Sequence, residues 1–146
     1  MPVSTELFKR VQLFNGLTPA EMDAVAAICT ELKVTPGDQI IQQNTTGTQM
    51  YVVAEGAVEV YIQGLENARS LVVLGKGQVI GEMALIDQGY RSASVRATKE
   101  GATLYLIESG DFYKLCQENY HIGYIAMRNM AIDVSFKLRH RNLAEL

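Results

Sequence analysis

The chain has 146 residues and carries 13 Lys and Arg against 16 Asp and Glu, a formal net charge of −3. That length suits one domain with a real core and is too short for two, and the acidic balance lacks the basic footprint of a chain that binds nucleic acid through its phosphates. Cys29 and Cys116 form neither a disulfide framework nor a CxxC site, no apolar run reaches the ~18 residues that span a bilayer, and no secretory leader pattern opens the chain, so a cytoplasmic protein with free thiols and no membrane partner is expected.

Residues 4–15 carry Leu7, Val11 and Phe14 at helical spacing and stop at Asn15-Gly16, which predicts a short amphipathic helix. Thr18-Pro19-Ala20-Glu21 then signals a second helix: Thr18 fits the N-cap, Pro19 the first helical position and Glu21 the third, completing a capping box. It should run to about Cys29. From Leu32 to Ile107 the pattern changes to short β-branched and aliphatic runs cut by Pro36-Gly37, Thr46-Gly47, Glu55-Gly56, Gly64, Gly75-Lys76-Gly77, Gly89 and Glu100-Gly101. Turn signals this regular predict antiparallel strands in a sandwich or barrel, with 58–62 and 103–107 as the clearest strands.

Residues 111–117 read as a short helix that Asn119-Tyr120 ends. From His121 to Leu143 the chain is continuously helix-compatible, with no proline and one glycine, and would extend roughly 35 Å. Its apolar residues occupy more than one face, so one barrel cannot cover them all. Ile122, Ile125, Asn129, Ile132 and Phe136 fit a heptad-like seam with one polar position, which predicts a homodimer along this helix.

The stretch 75–97, GKGQVIGEMALIDQGYRSASVRA, interrupts apolar sequence with glycines, Glu82 and the pair Arg91-Ser92. Gly81 before Glu82-Met83-Ala84-Leu85 reads as a tight turn opening a short helix whose first amides can face an anion. Arg91 offers a planar fork that matches two phosphate oxygens and keeps its charge, and Ser92 adds a hydroxyl donor. Glu82 would repel a phosphate, so its natural partner is a neutral hydroxyl such as a ribose 2′-OH. Gly75 and Gly77 fit neither GxGxxG nor GxxxxGK[ST] and read as a strand-joining turn.

Candidate catalytic groups are missing. His121 and His140 are far apart and support no Ser-His-Asp, Cys-His or histidine-rich metal arrangement, and Glu118-x-x-His121 occurs once where di-metal bundles need two such pairs. No enzyme activity, metal or cofactor is expected. The basic stretch Lys137, Arg139, His140, Arg141 either complements the dipole of a helix C-terminus or brings Lys137 or Arg141 over a bound base or phosphate.

The order Gly-Glu-Met-Ala-Leu, a short loop, then Arg-Ser-Ala-Ser-Val-Arg-Ala resembles the phosphate-binding cassette of the cyclic nucleotide-binding domain family, which includes the catabolite activator protein and the regulatory subunit of cAMP-dependent protein kinase. Upstream, Thr35-Pro36-Gly37-Asp38 and Met50-Tyr51-Val52-Val53-Ala54-Glu55-Gly56-Ala57-Val58 fall where the family has its Pro-Gly turn and a strand pair, so the likeness covers nearly the whole chain. The resemblance implies a mainly β fold with flanking α, an antiparallel double-stranded, jelly-roll-like β-roll at 32–108 with N-terminal helices at 1–31 and C-terminal helices, one of them long, at 109–146, all in a single domain. It implies a sensor of cAMP or cGMP, with Gly81, Glu82, Met83 and Ala84 around the ribose phosphate and Arg91 and Ser92 on the phosphate oxygens. Ile80, Lys137 and Arg141 are further candidates. The signal would pass through the C-terminal helix to a downstream effector protein, and no nucleic acid would be bound by this chain itself. The alternative is the sensor half of a Crp-type transcription regulator. Two positions depart from the family pattern, Asn44 standing for a glycine and Ile80 for a phenylalanine; Asn tolerates left-handed backbone and Ile keeps the apolar character. The stretch 136–141 also lacks the hydroxyl residues with which the activator protein reaches its purine.

Overall fold

The computed structural model describes residues 4–86 and 89–145, with side chains described as far as His140. Where one helix over 4–15 is expected, the chain forms two short pieces, α1 (Thr5–Phe8) and a 3-10 turn (Gln12–Phe14), joined through Val11 in extended geometry at φ −88° and ψ 116°. The reason is burial. Leu7, Phe8, Val11, Leu13 and Phe14 are all inside, whereas on one straight helix Leu13 would point about 120° away from Leu7. α2 (Pro19–Ala27) follows the sequence reading closely: the Glu21 amide donates to Thr18 Oγ1 at 3.2 Å and the Thr18 amide to Glu21 Oε1 at 2.9 Å.

Six antiparallel strands follow: β1 (Thr30–Val34), β2 (Gln39–Ile41), β3 (Gln49–Gln63), β4 (Ala68–Leu74), β5 (Val79–Ile80) and β6 (Ser94–Glu108). The path is β1-β6-β3-β4, with β2 also on β6 and β5 also on β3, which is the expected β-roll. Two expected turns are not turns. Glu55-Gly56 lies inside β3 and Glu100-Gly101 inside β6, and Gly56 pairs with Ala102 between register slips at Val53/Glu55 and Gly56/Val58. Both glycines have left-handed φ, 73° and 70°. A Cβ on Gly56 would run into the Gly101 carbonyl and stand 2.9 Å from Ala102 Cα. The glycines therefore let the two longest strands bend together at one corner and serve both halves of the roll. Asn44 does adopt the left-handed conformation, φ 66°.

Period-two alternation divides the core in two. Tyr51, Val53, Val58, Ile80, Val95 and Leu104 fill the roll, while Met50, Val52 and Ile107 face Phe8, Phe14, Phe112 and the C-terminal helices. α3 (Ser109–Glu118) ends at Asn119, which is extended at φ −142° and ψ 97°, and α4 (Tyr120–Glu145) starts at once. Ile122, Ile125, Asn129 and Met130 of α4 are buried. Asn129 Nδ2 donates to Leu13 O and Asn15 O at 2.9 Å each. The sequence-predicted seam is thus corrected: its first three members pack inside the subunit, and Asn129 fastens α4 to the N-terminal turn. Only Ile132 and Phe136, 47% and 60% exposed, remain outside.

Glu21 ties the layers together. Besides its capping role it accepts from Asn119 Nδ2 at 3.1 Å and lies 2.8 Å from His121 Nδ1. The Thr18 amide, opposed by burial and helped by His121, holds this carboxyl below its ordinary range. Cys29 and Cys116 are both free, and burial pushes the Cys29 thiol up to about 12. Among the described residues no helix is long and apolar enough to cross a membrane.

Candidate ligand-binding cleft

A cleft of about 1040 Å³ opens between the roll and α4. Its floor is the end of β5, a second 3-10 turn (Glu82–Leu85) and the segment leading into β6; its roof is Asp133, Val134, Lys137 and Leu138; its far wall includes Val60, Val72 and Leu74.

Gly81 opens the 3-10 turn from the left-handed region, φ 75° and ψ 18°. A side chain there would also stand 2.6 Å from Arg91 Nη1 and 3.0 Å from Gln49 O, so conformation and space both call for glycine. Ala84 and Leu85 are buried and anchor the turn, whereas Met83 is half-exposed. The Ala84 amide already donates to Gly81 O. The amides of Glu82 and Met83 open the turn and are those that a helical start leaves without intrahelical acceptors. The Tyr113 hydroxyl of α3 donates to Leu85 O on the turn's other side. Ile80, buried and paired with Tyr51, supports the floor from below.

Arg91 is fixed through its backbone and its side chain. Its amide donates to Thr45 O at 2.7 Å and its carbonyl accepts from the Asn44 amide at 2.8 Å, so the left-handed Asn44 turn holds it. Nη2 donates to Gln49 O at 2.7 Å and Nη1 to Gly81 O at 3.3 Å. These use two of the five guanidinium donors. Gly47 lies so close that a Cβ would stand 2.6 Å from Arg91 Nε, a role hidden in the sequence, where Gly47 reads only as a turn signal. Behind Gln49 runs a short network: the Tyr51 hydroxyl donates to Gln49 Oε1 at 2.7 Å, and Gln49 Nε2 to Glu108 Oε1 at 2.7 Å. Burial pushes the Tyr51 phenol up, Arg91 pulling the other way and Glu108 adding to the rise.

Glu82 meets α4. Its side chain is 15% exposed, with Lys137 Nζ 3.4 Å from Oε1; the same ammonium lies 2.9 Å from Asp133 Oδ2. Burial opposes the charge on Lys137, but the Asp133 hydrogen bond and the Glu82 charge outweigh it and hold the amine above its ordinary range. α4 continues to Glu145, about two turns past Lys137. Complementing the helix terminus therefore does not account for this lysine, which is a cleft residue. Arg141 lies outside the residues whose side chains are described. Gly81, Glu82, Met83, Ala84, Arg91, Ser92, Ile80 and Lys137 thus line one cleft although they come from β5, a 3-10 turn, a loop and α4. Asp133 was missed; its position four residues before Lys137 is the signal that could have found it.

Residues 31–119 match the cyclic nucleotide-binding domain family over most of the roll and α3. The chain belongs to that family. It is similar to the cyclic AMP receptor protein of Thermus thermophilus, 32% identical over 132 residues that make up 90% of this chain and 59% of the receptor. The crystal structure of the Thermus thermophilus catabolite activator protein superposes with a TM-score of 0.81 at 31% identity, over 91% of this chain and 61% of that one. The N-terminal domain of a transcriptional regulator from Streptomyces coelicolor A3(2) gives 0.80 at 26% identity, over 96% and 95%. The chain therefore spans about three fifths of the Thermus relative's length. The cyclic nucleotide-binding domain's β-roll accounts for the strand order, and the cleft lies between that roll and the last helix.

Proposed function

We propose that the protein binds a cyclic nucleotide, cAMP or cGMP, in the cleft between the roll and α4, and that α4 reports the occupancy. One observation carries the reading: a single guanidinium, Arg91, is held on two backbone carbonyls beside left-handed Gly81, one residue before a largely buried carboxylate, Glu82. The Arg91 guanidinium and the opening amides of the 3-10 turn suit one ring phosphate, with Ser92 as a further donor, and the neighbouring carboxylate suits a ribose hydroxyl. Binding of the hydroxyl to Glu82 competes with the contact from Lys137. Occupancy thereby acts on the distal half of α4, and it shifts that helix only insofar as one arrangement binds the nucleotide more tightly.

This makes the protein a cytoplasmic sensor rather than an enzyme, passing its signal to a downstream effector. Tyr120, Tyr124, Met127, Ala131, Val134 and Leu138 follow a 4-3-4-3-4 spacing, and all but half-buried Val134 are exposed. They replace the seam first read from the sequence and support a homodimer along α4. A second reading, the sensor portion of a Crp-type regulator, is favoured by the 95% coverage of a regulator's N-terminal domain beside 59% coverage of a whole receptor. Calorimetric titration of the purified chain with cAMP, cGMP and 5′-AMP tests the main reading: one site per chain for a cyclic nucleotide and little or no heat with 5′-AMP are expected. Absence of binding by both cyclic nucleotides would overturn it.

A further inference from the structure

We infer that Glu108, which lies outside the cleft at the end of β6, is a positioning residue for the nucleotide phosphate: through the side chains of Thr48 and Gln49 it fixes the seat on which the Arg91 guanidinium rests. The inference rests on the nucleotide site proposed above. That seat is three consecutive residues. Gly47 leaves the space that Arg91 fills, the Ser109 amide donates to Thr48 O at 2.8 Å, and Arg91 Nη2 donates to Gln49 O at 2.7 Å. Thr48, Gln49 and Glu108 all stand outside the cleft lining, so their effect on a ligand has to pass through Arg91.

The strand register gives the reason the seat has to be held. Gln49 pairs with Glu108 across β3 and β6, and the bond from Ser109 to Thr48 makes this a pair without reciprocal backbone bonds, in which the side chains lie closest and the backbone groups of Gln49 point away from β6. On that other side β5 ends at Ile80, opposite Tyr51. Two residues further out, the Gln49 carbonyl is taken by the guanidinium, which also donates to Gly81 O. Arg91 thus bridges β3 and the turn beyond the last strand pair, and the place of the Gln49 carbonyl depends on what grips Gln49 from the β6 side. Glu108 supplies that grip. Its Oε1 accepts from Gln49 Nε2 at 2.7 Å and its Oε2 from Thr48 Oγ1 at 3.1 Å, while the Tyr51 hydroxyl closes the network on Gln49 Oε1. A carboxylate accepts at both oxygens and so matches the two donors; an apolar side chain would release both.

The test titrates the intact chain with whichever of cAMP and cGMP binds more tightly and with the two phosphorothioate diastereomers of that nucleotide, in each of which sulfur replaces one exocyclic oxygen of the ring phosphate. A guanidinium held in one place bonds one of these oxygens in preference, so the wild type should bind the two diastereomers unequally. Glu108→Leu should lower the affinity for the parent nucleotide roughly tenfold and bring the two diastereomers to nearly equal affinity. Glu108→Gln, which still accepts from Gln49 and can donate to the Thr48 hydroxyl, should keep the wild-type affinity and preference. Should Glu108→Leu not melt cooperatively, Gln49→Met gives up the same contact and carries the test with the same expected result. Equal binding of the two diastereomers by the wild type, or a wild-type preference retained in Glu108→Leu whether or not affinity falls uniformly, would overturn the inference and leave the nucleotide site intact. Failure of the wild-type chain to bind either cyclic nucleotide would overturn the site itself and the inference with it.

Discussion

The two halves of α4 behave as different objects. From Ile122 to Met130 the helix is part of the core: Ile122, Ala126 and Met130 are at most 2% exposed, and Asn129 is fastened to two carbonyls of the N-terminal turn. From Ile132 to His140 it is mostly surface, with Asp133 and Val134 half-buried. Phe136 and Leu138 are 60% and 56% exposed, and an ion pair, Lys137 to Glu82, links this half to the ligand floor. The lysine of this pair is 63% exposed, so solvent screens the contact and it contributes little to stability. One helix is thus anchored at its start and only lightly held where it roofs the cleft, so the proposed nucleotide would act on the second half without disturbing the first.

The largest effect expected from this contrast is on stability. Ile122→Ala or Met130→Ala should cost about 2–5 kcal/mol in urea denaturation, because each leaves a cavity in a packed site, whereas Phe136→Ala should stay within about 0.5 kcal/mol. Equal costs would remove the distinction between the halves. Asn129→Leu comes next, at about 1–3 kcal/mol, since it strips the donor from the Leu13 and Asn15 carbonyls.

How much of this could be read from the sequence depended on the range of the interaction. The capping box at Thr18 and Glu21, the Gly81 turn that opens a short helix and the strand segments 58–62 and 103–107 are local patterns, and each appears where the residues predicted it. Cross-strand and long-range features were not legible. Gly56 and Gly101 look like strand ends until their strands are laid side by side and show a shared bend. Asn129 fits a dimer seam by spacing, yet its partners lie more than a hundred residues earlier. The five apolar residues at the N-terminus suggest one helix only if the core is assumed to lie on one side of it. In the cleft, Gly81, Glu82 and Arg91 stood out by type, but nothing local showed that Gly47 makes room for Arg91 or that Asp133 shares Lys137 with Glu82.

Smaller effects sharpen the comparison further. Glu21 holds the anchored end, and its carboxyl is kept below the ordinary value near 4.5. A group lowered on folding contributes its stability above the unfolded-state value and loses it as the pH falls through the folded one. Acid titration of stability from pH 6 downward should therefore show a steeper fall for the wild type than for Glu21→Gln; parallel curves would take Glu21 out of the anchor. At the free end, Leu138→Glu should shift the sedimentation coefficient from dimer to monomer while changing the stability of each subunit by no more than about 0.5 kcal/mol. A chain already monomeric at micromolar concentration would remove the proposed seam.

The account depends most on Arg91 as the clamp for the ring phosphate. Calorimetric titration of Arg91→Ala beside the wild type, with both shown to melt cooperatively, tests this directly. A loss of roughly a hundredfold in affinity for the cyclic nucleotide is expected from removing a charged, two-pronged contact. Titration curves that coincide for the two proteins would contradict it.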